Sequence, residues 1–301
     1  MFTIKIYINL KGWGMTLINI FGVGRSGTTM LDLILGNDNR SFSLGEISAW
    51  FRPYREHHFD IVCSCHKQPC PYWEKIKDLP ESKFHKKSFN LLDVDFLIDS
   101  SKNLNWGIDN NLWSAKNNIK TYNIVVYKRP INYIYSIWKR GGDVDDAIYR
   151  YTTYYKQFLE TNINFLSIEY EELVNNTENI LENLCLIIGQ KYFKGKENFW
   201  EKQHHHAFGS MGARKQIEGG NSKIRKKEEF PREYIDMVPL IEEKLEKNKD
   251  FVFIRGSLIK FDLRNGYSCN QKRIKKPLWY FARNLKALYA RRFPTKWKHK
   301  Q

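Results

Sequence analysis

From Asn19 to Leu35 the chain reads NIFGVGRSGTTMLDLIL: a short apolar run, a turn with glycine at 22, 24 and 27, and a leucine-rich stretch headed by two threonines. A strand that turns so tightly into a helix sets the helix N-terminus, with its unpaired N–H groups, at the strand's carboxyl end. Gly22, Gly24 and Gly27 let backbone N–H groups turn inward, and Thr28 and Thr29 open the helix, so the unit can cradle a phosphate-sized anion. A nucleoside-triphosphate loop would carry lysine where Thr28 stands, reaching toward the β- and γ-phosphates. Here the nearest cation is Arg25, three residues earlier. The ligand implied is phosphate-bearing but is not held like a triphosphate.

Strand candidates recur at 17–21, 94–98, 122–127 and 163–168, each a short apolar run closed by polar, Gly or Pro residues. Helical patterns fall at 28–36, 45–56, 103–117, 131–140, 143–161, 177–188 and 231–247. This alternation predicts an α/β fold, a P-loop-like parallel sheet flanked by helices, with one domain over 15–271. Ligands of such sheets sit outside the carboxyl ends of the strands. The segments following the first three strand candidates are GVGRSGTT, DSSKN and KRPINYIYS, all rich in cations and hydroxyls. The second offers Lys102 just after Asp99, a cation where a magnesium-dependent phosphotransferase would place a metal-binding carboxylate.

Charge is unevenly placed. Of the net +16, residues 272–301 supply eleven Lys/Arg against no Asp/Glu, leaving +5 for the rest of the chain. Within this basic C-terminal extension Leu278, Phe281, Leu285, Leu288 and Tyr289 fall at helical spacing among Arg283, Lys286, Arg291 and Arg292. A helix there has three outlets: packing on the domain with its basic face solvated, an anionic membrane surface, or an anionic substrate. With no apolar run of membrane-spanning length and no secretory pattern, the expectation is a cytoplasmic protein, membrane contact being peripheral and through the tail. No specific nucleic acid is expected.

The five cysteines are an odd number, which argues for reduced thiols. Cys63, Cys65, His66 and Cys70 lie in CSCHKQPCPYW, but C-x-C-x(4)-C is irregular for structural zinc and lacks a second ligand pair at finger-like spacing. Adjacent His204, His205 and His206 do not converge on one face. The expectation is no metal.

In order along the chain, GVGRSGTTML, FLIDSSKN, VVYKRPINYIYSIW and LSIEYEELVNNTENILENLCLIIG resemble the motifs of sulfotransferases that use 3′-phosphoadenylyl sulfate (PAPS), in the RSGTT form of the tyrosylprotein and bacterial branches. The resemblance covers roughly residues 17–190, and GGNSKIR at 219–225 resembles a later loop of the bacterial members. It implies PAPS as donor, no metal, and a hydroxyl-bearing acceptor. Gly24, Arg25, Ser26, Gly27, Thr28 and Thr29 would hold the 5′-phosphosulfate, an arginine fork suiting such oxygens. Glu46, in the GE element of SFSLGEISAW, would be the general base, and Lys102 with Arg25 would meet charge on the bridging oxygen.

One segment departs from the family pattern. With Pro130 and Ser136 in register, the arginine for the 3′-phosphate becomes Lys128 and Arg129 takes the usual Asp/Asn position. Either cation can serve, with Ser136 donating its hydroxyl or, alternatively, bonding its own helix backbone. Asn221 and Arg225 would close over the donor. His57 and His58 are alternative bases. A P-loop nucleotide kinase and a membrane or polyanion-binding adaptor are the rival functions.

Overall fold

The computed structural model describes residues 14–53, 55–209, 229–265 and 273–292, side chains in the last segment being described as far as 285. The apolar run before the glycine turn is β1 (Thr16–Phe21), every residue of it buried, as a central strand covered on both faces requires. It is followed by β2 (Ser41–Gly45), β3 (Phe96–Asp99), β4 (Lys120–Tyr127) and β5 (Leu166–Glu169). These form one sheet in the order β2-β3-β1-β4-β5, all pairs parallel. The fold is therefore α/β with a five-stranded parallel sheet flanked by helices.

Among the helices are α1 (Thr28–Gly36), α2 (Phe84–Leu92), α3 (Leu104–Lys116), α4 (Pro130–Trp138), α5 (Val144–Glu160), α6 (Thr177–Ile188), α7 (Arg232–Lys247), α8 (Lys249–Lys260) and α9 (Leu278–Arg292). Their starts are chemical. Asn103, Asp143 and Asn248 accept the N–H of Trp106, Asp146 and Phe251, capping α3, α5 and α8. Gly189 ends α6 in the left-handed conformation at φ 78°. α1 is buried on all sides, and with α6 it covers one face of the sheet. Residues of α4, α5, α7 and α8 cover the other face.

One expectation changes. The segment 45–56 is not one helix: its first residue closes β2, Ser48–Phe51 is a single α-helical turn, and Glu56 opens a separate 3-10 turn. Ser41 and Ser43 hid the strand, because their buried hydroxyls rely on partners distant in sequence, Gln190 and His206. Of the outlets open to the basic extension, its described part packs on the domain. Tyr280 is buried, its hydroxyl donating to Asp109 (2.6 Å) and its carbonyl accepting from Asn105 (2.7 Å) on α3, while Trp279 donates to Glu160 on α5 (2.8 Å). The opposite side of α9 leaves Leu278, Phe281 and Leu285 exposed.

The chain leaves β1 toward β2 on one side and β4 toward β5 on the other. β1 and β4 thus flank the point where a crevice opens outside the strand ends.

Candidate active site

At the end of β1, Arg25 and Gly27 adopt left-handed backbone at φ 79° and 98° and coil the loop back onto the start of α1. Glycine is required at 27: a Cβ there would lie 2.2 Å from the Tyr170 ring. The first turn of α1 has neither a side-chain cap at Gly27 nor an acidic residue, so no carboxylate of its own competes with an anion for its positive dipole end. Ser26, Thr28 and Thr29 are buried beneath the loop, while Gly24 and Arg25 face outward. Partial burial, and then the like charge of Arg140, pulls the Arg25 guanidinium below its ordinary pKa; Glu46 acts in the opposite direction. Arg140 was not singled out from sequence. Its guanidinium donates to the Ser136 carbonyl.

Glu46 and Lys102 are 56 residues apart in sequence and form an ion pair across the neighbouring ends of β2 and β3. Backbone geometry places both. Gly45, at φ 69°, brings the Glu46 N–H onto the Ala207 carbonyl (3.1 Å), and a Cβ on Gly45 would meet that oxygen at 2.0 Å. Lys102 is itself left-handed at φ 59°. Such a conformation in a residue with a Cβ persists only where its surroundings enforce it. Here the enforcement is visible on both sides.

Asp99, just before this turn, is fully buried and accepts from Trp106 Nε1 (2.6 Å), Asn110 Nδ2 (3.1 Å) and the Ser101 N–H (3.0 Å). Burial alone would raise its pKa, but His85, Ser101 and Trp106 outweigh that and hold it below the usual carboxylate range. Its oxygens are spent on fixing the turn. Asn110 also donates to Asn19 on β1, which donates to Asn123 on β4, where Asn111 of α3 pairs. This buried amide network ties α3 to two strands and hence to the Lys102 turn.

From the other side, α5 presents three tyrosines at i, i+3 and i+4. Tyr151 donates to the Lys128 carbonyl (3.1 Å) and Tyr155 to the Val126 carbonyl (3.2 Å). Tyr154 donates to the Lys102 carbonyl (2.9 Å) while accepting the Gly22 N–H (3.1 Å). One helix therefore holds the backbone of all three loops that end β1, β3 and β4. Sequence reading passed over these residues; the signal was present in YRYTTYY, whose ring spacing marks a buried helix face without disclosing what the hydroxyls reach.

At the end of β4, Lys128 places its ammonium 4.5 Å from the Tyr170 ring centroid. Arg129 pairs with Glu169 (2.6 Å), and its N–H donates to Glu171 (3.1 Å). Ser136 is buried and donates to the Tyr133 carbonyl (2.7 Å), the backbone-bonded alternative foreseen for it. Asn221 and Arg225 lie outside the described residues. Of the alternative bases, His57 is exposed; His58 is buried, and burial lowers its pKa to about 4.

The three histidines diverge. His204 lies 2.8 Å from the Phe199 carbonyl, His206 lies 2.6 Å from Ser43 Oγ, and His205 meets the free thiols of Cys63 and Cys70.

No protein-family model matches the chain, and no curated protein matches it. Among solved structures, the sulfotransferase domain from the curacin biosynthetic pathway is 13% identical with a TM-score of 0.52, covering 82% of this chain and 97% of that one. The sulfotransferase domain from the Synechococcus PCC 7002 olefin synthase (14% identical, TM-score 0.47, 77% of this chain and 94% of that one) also matches. So does the sulfotransferase STF9 from Mycobacterium avium (11% identical, TM-score 0.39, 79% of this chain and 78% of that one). The first of these likenesses shows that the fold is that of a sulfotransferase domain.

Proposed function

We propose that the chain is a PAPS-dependent sulfotransferase acting on a hydroxyl acceptor, with no metal in the transfer step. The observation that carries this reading is the Glu46–Lys102 pair, held at adjacent strand ends beside an arginine-bearing, lysine-free anion loop. In the proposed reaction the acceptor oxygen attacks sulfur in line, a new S–O bond forms, and the bond from sulfur to the 5′-phosphate oxygen breaks. The acceptor proton passes to Glu46, and adenosine 3′,5′-bisphosphate leaves with the electron pair. Lys102, exchanging its carboxylate partner for the bridging oxygen, offsets the charge developing there, and Arg25 shares that task. That exchange frees Glu46 for the acceptor.

The loop N–H groups with Ser26, Thr28 and Thr29 take the 5′-phosphate. For the 3′-phosphate the proposal keeps Lys128, Arg129 and Ser136, and Arg140 joins them because it contacts the Ser136 carbonyl and its charge reaches Arg25. Asn221 and Arg225 are proposed to close the donor site. Saccharides, glycolipids, tyrosine and small alcohols are the acceptor classes that supply the required hydroxyl. The exposed Leu278, Phe281 and Leu285 of α9, beside the tail's cations, fit an acceptor at an anionic membrane surface. Among the described residues no helix is long and apolar enough to cross a membrane.

The test is a transfer screen with sulfur-labelled donor against lysate fractions, without added magnesium. Label should move to an acceptor with release of adenosine 3′,5′-bisphosphate, and adding magnesium should leave the rate unchanged. Calorimetry that finds tight binding of magnesium-ATP and none of adenosine 3′,5′-bisphosphate would overturn the reading in favour of a phosphotransferase.

A further inference from the structure

Beside β2, three thiols and one imidazole converge. Cys63, Cys65 and Cys70 belong to one loop, and His205 arrives from 135 residues beyond Cys70. Their four ligand atoms all lie within 4.8 Å of one another. Cys70 Sγ is 3.3 Å and Cys63 Sγ 3.8 Å from His205 Nδ1. A tetrahedral zinc ion with bonds of about 2.3 Å to sulfur and about 2.05 Å to nitrogen sets sulfur and nitrogen about 3.6 Å apart, between the two observed distances. A disulfide needs sulfurs about 2 Å apart, whereas all three cysteines are free.

We propose that Cys63, Cys65, Cys70 and His205, through Nδ1, form a structural zinc site. The ligand set is of the Cys3His type: four protein ligands, soft sulfur in the majority, no carboxylate and no position left open for substrate. Backbone N–H groups point to two of the ligand sulfurs, as they do around metal-bound thiolates. The Cys65 N–H points to Cys63 Sγ (3.5 Å), and the Lys67 N–H donates to the Cys65 thiol. The His205 ring lies against the Tyr72 ring with centroids 4.1 Å apart, and its carbonyl accepts from Trp73 Nε1 (2.8 Å). Lys67 and Lys202, whose charges both reach His205, offset the net negative charge of three thiolates around a divalent ion.

The ion would close a cross-link already begun by the backbone. Ser64 donates its N–H to the His206 carbonyl (3.0 Å), the Ser64 hydroxyl donates to the His204 carbonyl (2.8 Å), and Cys63 bridges Ala207 in antiparallel fashion. Ala207 is the residue whose carbonyl accepts the Glu46 N–H. Zinc here would fasten the loop 63–70 to the strap 204–207, and so brace the wall behind Glu46, without taking part in transfer. The site is independent of the donor assignment.

The test uses the full chain without an affinity tag, purified under reducing conditions from zinc-supplemented cells. Elemental analysis should find about one zinc per chain, retained through dialysis against EDTA and released to a chromogenic chelator when a mercurial blocks the thiols. Cobalt grown into the same protein should give the intense visible bands of tetrahedral thiolate coordination. Cys70→Ser and His205→Asn should each hold less than a tenth of the wild-type metal, whereas Cys185→Ser, altering a buried thiol outside the cluster, should hold all of it. Should a ligand variant fail to fold, the wild-type cobalt spectrum and zinc release carry the proposal by themselves. Substoichiometric zinc in the wild type, cobalt without thiolate bands, iron in place of zinc, or full zinc retention by His205→Asn would each overturn it.

Discussion

Glu46 sits at a strand end where its N–H, its backbone turn and its carboxylate are each committed to a different neighbour: Ala207, Gly45 and Lys102. If it is the general base, Glu46→Gln should lower kcat by about 10²–10⁴-fold. Calorimetric affinity for adenosine 3′,5′-bisphosphate should stay near wild type, because the anion loop is untouched. A variant with wild-type turnover would remove Glu46 from the mechanism. Asp32 is a second carboxylate with a measurable signature. It is fully buried on α1, accepts from Ser100 Oγ (2.5 Å) and lies 3.5 Å from His206 Nδ1. Burial pushes its pKa up to about 7, against hydrogen bonds from Ser100 and Ser43; nearby Asp99 adds to the rise and Lys102 opposes it. An unfolded Asp titrates near ~3.9. Between those values the folded protein keeps a proton that the unfolded chain has lost, so this group's contribution to stability falls as pH rises through the window and is flat above it. At about 1.36 kcal/mol per unit, the fall is on the order of 4 kcal/mol. Asp32→Asn should abolish that slope. Denaturant melts of both proteins from pH 4 to 8 check it.

The helices α3, α5, α6 and α7 fall within a residue or two of the expected spans, because apolar periodicity and Asx caps are local properties of the chain. β2 was not legible, because its serines are buried by remote partners and local polarity gave the opposite signal. Helix α5 shows the same divide: its span could be read, its task of holding three loops could not. Tyr154→Phe should leave the Gly22 N–H and the Lys102 carbonyl without their partner, costing about 1–3 kcal/mol of stability. Donor-product affinity should weaken with it, as both the anion loop and the Lys102 turn loosen. Tyr149→Phe, on the exposed side of the same helix, should change neither thermal unfolding nor binding. Equal effects of the two would show that Tyr154 acts only as bulk.

At the scale of the molecule, α9 is joined to the domain by Tyr280, Trp279 and Asn284. Removing residues 273–301 should therefore lower stability by about 2–3 kcal/mol, the worth of burying one large side chain, while adenosine 3′,5′-bisphosphate still binds. Loss of all ligand binding with the fold intact, followed by thermal melts and calorimetry, would instead favour the adaptor. The strand-loop-helix unit, the parallel α/β class and the separate candidates Arg25, Glu46 and Lys102 could be read from residue order, because glycine geometry, periodicity and residue chemistry act over a few neighbouring positions. Folding alone decided that Glu46 meets Lys102, that Arg129 meets Glu169, that Arg140 approaches Arg25, and that His205 completes the thiol cluster. Each of those meetings joins residues from different segments, brought together only by strand order and backbone turns, and no local pattern encodes the distance between them.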